Sequence, residues 1–363
     1  MDLKYYINKI AKNAINELNL FGHSRPGFNG PYNDPETPVR NTAHALFLLS
    51  KLANDTKDSL IINAANKACD YLCGQSARPK NTIFYCRKNP KKDFSNGLIG
   101  QAWVIEGLIA AAKYLGRKDA LTIAKECYYL HPWSESQSIW HRVALDGNPM
   151  SPDGTFNHQL WFAAVSSNFD DTEIIFRSER FLDNVAQHVQ IYEDGVIYHQ
   201  SRLGTLSRSL INKHSSILRN LYNELSRFKL RSIQYSKSIG YHSFNLYAFA
   251  LLKKKFPDHK FWSSPKFNKM IAVSNSKVFL SSLNKSKYGW PYNPPGIEFA
   301  FVGEVFKLGQ RYCQSWIDLQ YLHTFNKMTG DLLTQSVPDP TTSSLRIYEG
   351  LRLKNNYDIP TKL

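Results

Sequence analysis

The chain has 363 residues, 42% of them hydrophobic and 13% aromatic, a balance that excludes a disordered polymer and supplies apolar surface for a large core. Its formal net charge of +15 sets up a field that favours anionic ligands. Five scattered cysteines argue against a disulfide framework and, with no basic-then-apolar start after Met1-Asp2-Leu3, point to the cytoplasm; no apolar run is expected to reach membrane-spanning length.

In chain order, a polar or Gly-containing entry leads repeatedly into an apolar run of helical length. His44 opens onto Ala45–Leu52, Gln101 onto Ala102–Leu115, His158 onto Gln159–Val165, His242 onto Ser243–Leu252 and Glu298 onto Phe299–Leu308. These markers recur at about 57 residues, with one longer step between His158 and His242. Between them lie segments with one apolar and one charged face, Asp58–Leu72, Lys118–Leu130, Asp171–Gln190 and Leu210–Phe228. The alternation predicts an all-α (α/α)6 toroid of inner and outer helices, formed by residues 1–363 as a single domain; a split near residue 230 is the alternative. Within the long step, Ile191–Tyr198 places a glycine between β-favouring residues and predicts a small hairpin at the ring mouth.

Ring closure would bring the entries together although they lie far apart in sequence. The expected convergent set is Arg40, His44, Asn96, Gln101, Asn157, His158, Trp161, Lys237, Tyr241, His242, Asn245, Tyr247 and Glu298. Asn157-His158 is the sharpest pair: an amide can hydrogen-bond a uronate carboxylate while the neighbouring imidazole removes the proton beside it. The same two residues would also serve as an ordinary helix entry. Glycoside hydrolysis needs two carboxylates flanking one bond, and Asp93, Asp153, Glu298 and Glu304 are the candidates. Glycan binding without turnover is a third possibility. No metal or other cofactor is expected, because Cys69 and Cys73 stand at i, i+4 with no nearby His and there is no phosphate loop or dinucleotide fingerprint. The basic clusters Arg87–Lys92 and Lys253–Lys255 come without any nucleic-acid-binding motif, so nucleic acid is not an expected partner.

Asn157-His158-Gln159-Leu160-Trp161 resembles the Asn-His-x-Tyr-Trp motif of alginate lyases, and Gly240-Tyr241-His242-Ser243-Phe244 resembles their Tyr-His-Asn-Tyr motif. The resemblance implies a helical toroid, a carboxylate-neutralising role for Asn157, a base role for His158, and a Tyr as proton donor to the leaving oxygen. The family's second Tyr falls on Phe244 and its Arg on Lys237, which leaves Tyr241 or Tyr247 as the donor. The run Asn96 to Leu108 is similar to segments of toroidal sugar enzymes, including unsaturated-glucuronyl hydrolases, sugar 2-epimerases and proteins of surface-polysaccharide clusters. Together these imply a uronate lyase or C5-epimerase acting on an acidic oligo- or polysaccharide.

Overall fold

The computed structural model describes residues 2–201 and 219–359, with the stretch 219–229 described as backbone. The first half carries α1 (Leu3–Phe21), α2 (Val39–Thr56), α3 (Ser59–Cys73), α4 (Gly97–Leu115), α5 (Lys118–Leu130), α6 (Phe156–Ser166) and α7 (Thr172–His188). The second half carries α8 (Arg219–Lys255), α9 (Pro265–Ala272), α10 (Lys277–Lys285), α11 (Pro295–Val305), α12 (Gln310–Thr324) and α13 (Pro340–Leu345), which runs into a 3-10 turn at Arg346–Arg352.

The inner ring is the path α2, α4, α6, α8, α11 and the α13/3-10 segment, each packed on the next and the last returning to α2. Composition dictates this placement. Every residue of α4 from Gly97 to Leu108, and of α11 from Pro295 to Gly303, is buried, so neither helix has a solvent face. The outer helices bury one stripe each, as α3 does with Ala64, Ala65, Ala68, Cys69 and Leu72. The (α/α)6 toroid expected from the repeat is therefore the fold. Although Gly97–Leu115 is long and apolar enough to cross a membrane, contrary to the expectation from sequence, most of it is enclosed by the ring.

Helix ends differ between the two layers. Five outer helices are capped by side chains, Asp2, Asp58, Asp171, Ser264 and Ser276 each accepting a backbone N–H, whereas α5 and α12 start at Arg117 and Gly309 without one and the inner α13 is capped by Asp339. Inner helices α2, α4, α6 and α11 start at Pro38, Asn96, Thr155 and Pro294 without such a bond, and their N-termini gather at one end of the ring.

The β content is a correction. A three-stranded antiparallel sheet, β1 (Trp133–Ser134), β2 (Ile139–Val143) and β3 (Pro149–Pro152), links α5 to α6, a region where no strand was expected. The hairpin expected at Ile191–Tyr198 is present as one bridge, Ile191 to Ile197, around a turn in which Gly195 takes φ 94°. The outer helix expected over Leu210–Phe228 lies partly outside the described residues, which resume at Arg219.

Contact between α2 and α4 depends on a missing side chain. A Cβ at Gly107 would lie 2.8 Å from the Ala43 carbonyl oxygen, so the helices would have to separate. Gly107→Ala is expected to lower unfolding free energy by about 1–3 kcal/mol in urea denaturation despite alanine's better helix propensity. Unchanged or increased stability would show that the pair tolerates wider spacing.

Candidate active site

The gathered N-termini surround a cavity of about 160 Å³. Arg40 comes from α2, Asn96, Ile99 and Trp103 from the start of α4, Asn157 and His158 from α6, and Lys237, Tyr241 and Phe244 from α8. Arg346 enters from the closing 3-10 turn, and loops add Asn29, Tyr32, Arg87, Lys92, Thr155, His199, Tyr292 and Asn293.

His158 is the one residue of α6 that is not buried. Its Nδ1 lies 2.8 Å from Asp153 Oδ2, which leaves Nε2 as the nitrogen available to a ligand. Asp153 follows directly from β3 and also accepts the backbone N–H groups of Leu98 at the α4 N-terminus and Thr155. Burial opposes its charge, but the His158 ring and these donors prevail and hold it at about 2. The sheet thus delivers an ionised carboxylate to the back of an imidazole, an arrangement that fixes the ring's orientation and tautomer. Beside it, Asn157 is buried and its side-chain oxygen has no hydrogen-bond partner among the described residues.

Among the described residues five cations line the cavity, Arg40, Arg87, Lys92, Lys237 and Arg346, and no Asp or Glu does. The carboxylates that hold them stand behind them. Arg40 Nη1 donates to Glu36 and Asn29, each at 3.2 Å, while its guanidinium lies 4.0 Å over the Trp103 ring. Arg346 Nη2 is 2.7 Å from both Glu298 and Glu349. Arg87 and Lys92 share buried Asp34, and Arg87 also pairs with Asp93. Burial pushes Glu36 up to about 7 against the pull of Arg40, and burial likewise raises Glu298 and Glu349 against Arg346. This weakens the negative charge behind the two arginines and leaves the wall electropositive.

A tyrosine cluster forms the opposing side. Tyr241 and Tyr32 hydroxyls are 2.9 Å apart, Tyr292 donates to Asn29 at 2.6 Å, and Lys237 Nζ lies 4.8 Å over the Tyr32 ring. Burial, with the neighbouring Tyr292 and Tyr32, pushes the Tyr241 hydroxyl well above the ordinary phenol value, so it keeps its proton.

Of the expected residues, Arg40, Asn96, Asn157, His158, Lys237 and Tyr241 meet at this cavity, and the others do not line it. Tyr247 is buried, donating to the Glu349 carbonyl and accepting from Arg352, which corrects its assignment as a proton donor. His242 bridges the Ile197 N–H and the Met270 carbonyl, and Gln101 pairs with the Phe84 backbone. Trp161 donates to the Phe244 carbonyl, and Asn245 to that of Tyr241. His44 accepts from Arg40 Nε at 3.4 Å and stacks on Tyr348, and burial with the neighbouring cations holds it neutral. Glu298, beneath the floor, positions Arg346. Glu304 accepts N–H groups of Lys354 and Asn355 away from the cavity. With Asp153 and Asp93 also engaged behind basic groups, no carboxylate pair among the described residues faces the cavity as two-carboxylate hydrolysis requires.

Sequence reasoning missed Arg346, Tyr32, Tyr292, Trp103 and His199, and read Arg87 and Lys92 only as members of a basic cluster. One signal was available. Lys237, Tyr241 and Phe244 stand at i, i+4, i+7, and Asn96, Ile99 and Trp103 at i, i+3, i+7, so each set forms one helical stripe.

No model of a known protein family matches the chain. Archaeal glycosylation protein Q of Haloferax volcanii is 38% identical over 352 residues, covering 93% of each chain. Cellobiose 2-epimerase from Bacillus thermoamylovorans B4167 superposes with a TM-score of 0.58 at 11% identity, over 95% of this chain and 99% of that one. A sugar epimerase from a ruminal bacterium gives 0.60 at 9% identity, over 95% and 98%. An inactive variant of the α-1,6-mannanase of Salegentibacter sp. HEL1_6, in complex with α-1,6-mannotetrose, gives 0.58 at 10% identity, over 95% and 98%. At such identities these structures establish the shared toroid.

Proposed function

The chain belongs to the family of the archaeal glycosylation protein Q, and from that premise and the site we propose that it is an enzyme that removes the proton beside the carboxylate of a uronic-acid unit in a glycan. The carrying observation is the wall of five cations, with no carboxylate among the described residues, around an imidazole backed by Asp153. In this reading Arg40 and Arg346 hold the uronate carboxylate, and the Asn157 amide donates a hydrogen bond to it. His158 Nε2 takes the C5 proton, and the electron pair of the C5–H bond passes into the carboxylate, whose growing charge the arginines stabilise. Return of a proton to the opposite face of C5 gives the epimer. Expulsion of the C4 oxygen, protonated by the Tyr241 hydroxyl, gives the 4,5-unsaturated product. The likeness of Asn157-His158 to the alginate-lyase motif supports the same roles. We place this chemistry in the cytoplasm.

The test is a panel of uronate-containing oligosaccharides in deuterated buffer, followed for C5 deuterium, unsaturated-uronate absorbance and reducing ends. Deuterium without cleavage identifies an epimerase, and absorbance a lyase. Apparent affinity should also weaken as ionic strength rises, since the recognition groups are cations. Reducing ends without either other signal, binding without turnover, or equal action on neutral glycans at all salt concentrations would overturn the proposal.

A further inference from the structure

At the end of the ring opposite the candidate active site lies a second cavity, of about 350 Å³. Cations reach it from four elements: Lys51 on α2, Lys113 on α4, Lys254 and Lys255 on α8, and Arg352 at the end of the 3-10 turn. Among the described residues the lining includes a single carboxylate, Glu106, whose two oxygens are already taken by Tyr348 at 2.8 Å and Arg352 at 2.5 Å. Lys51 is held by Asp55 at 2.6 Å. Lys113, Lys254 and Lys255 have no carboxylate partner among the described residues; Lys113 rests 5.3 Å from the Tyr114 ring and Lys254 5.8 Å from the Phe301 ring. Burial, then the neighbouring Arg352, Lys354 and Lys113, holds the Lys254 ammonium below its usual range.

A helix C-terminus favours a nearby cation, and Lys113 and the lysines ending α8 meet that need. It does not explain why cations from four elements converge on one concave space whose single carboxylate is spoken for. We propose that this cavity binds a phosphate-bearing anion, either a free diphosphate or the phosphate of a lipid headgroup, whose charges would relieve the repulsion among Lys113, Lys254 and Arg352.

Two probes separate the sources: inorganic pyrophosphate, read by thermal unfolding, and vesicles of phosphatidylcholine with or without phosphatidylglycerol, read by co-sedimentation. With the full chain at low ionic strength, pyrophosphate is expected to raise Tm by about 2–4 °C, or anionic but not neutral vesicles to retain the protein. The double variant Lys113→Met/Lys254→Met should bind whichever probe succeeds at least about tenfold more weakly, with glycan turnover unchanged. Lys51→Met provides an independent single change should the double variant unfold. A response to pyrophosphate assigns a soluble anion, and selective vesicle binding assigns a headgroup. No response to either probe, or responses equal in parent and variants, would overturn the site and leave the lysines as compensation for helix ends.

Discussion

His158→Gln is expected to lower turnover on the responsive uronate glycan by on the order of 10² to 10⁴, with unfolding nearly unchanged. Glutamine can still donate to Asp153, so the buried carboxylate keeps a partner, but an amide takes no proton at neutral pH. His158→Ala removes the same base and also leaves Asp153 with its backbone donors Leu98 and Thr155 alone; it should be equally inactive and less stable. Asp153 lies below its ordinary value, so its contribution to stability is present above the unfolded carboxylate value and disappears as pH falls through about 2. It stays ionised throughout an assay near neutrality, and a titration seen there in the rate profile belongs to another group. Asn157→Ala should approach the His158 variants in rate, because the amide is proposed to act only when charge builds on the substrate carboxylate. If His158→Gln keeps near-parental turnover, proton abstraction by this imidazole is wrong whatever the substrate.

The toroid could be read from sequence because its inner helices carry two signals at once, a polar entry and an apolar run without a solvent face, repeated at near-constant spacing. The sixth inner element has neither. Pro340–Leu345 is one short helix and Arg346–Arg352 is 3-10, and their buried members include Arg346 and Glu349, charges that ordinarily signify surface. Only the ion cluster with Glu298 makes their burial tolerable, and that partnership spans 48 residues. The sheet was hidden for a related reason. The turn signal Asp146-Gly147 was present, but Pro149 and Pro152 in β3 argue against a strand, and the structure admits them at the sheet's edge.

Within the site, closeness in sequence misled where helical phase decided. On α8, Lys237, Tyr241 and Phe244 share the face that lines the cavity, while His242, Asn245 and Tyr247 fall off that stripe and bond to backbone and, for Tyr247, also to Arg352. The motif containing Tyr241 and His242 therefore delivers one residue to the cavity and one to the packing behind it.

Arg346→Met is expected to cost about 3–5 kcal/mol of unfolding free energy at pH 8 and to cost much less at pH 5.5. Its guanidinium is fully buried, donates to Glu298, Glu349 and Asn293, and lies 5.0 Å over the Phe244 ring. Methionine fills much of the volume but leaves two buried carboxyl groups with no cation between them. Burial already raises both groups, and removing Arg346, the strongest opposing influence on each, raises them further. A carboxyl whose folded value exceeds its unfolded one binds more protons when folded, so its stability contribution is present at low pH and is lost as pH rises. Because the unfolded state is common to both proteins, the variant's deficit should consequently open as pH rises through the parent's folded values, first that of Glu298, above its ordinary 4.5, and then that of Glu349, at about 8. Glu36, raised to about 7, adds the same trend to parent and variant alike, so the difference between them isolates the Arg346 cluster. Urea denaturation of both proteins across this range measures it. A deficit below about 1 kcal/mol, or one that does not vary with pH, would mean that Glu298 and Glu349 do not depend on Arg346 for their charge. Turnover at pH 5.5, where the variant is folded, then separates the two roles of the residue: a raised KM for the acidic glycan identifies Arg346 as a carboxylate-binding group, and parental kinetics confine it to holding the ring closed.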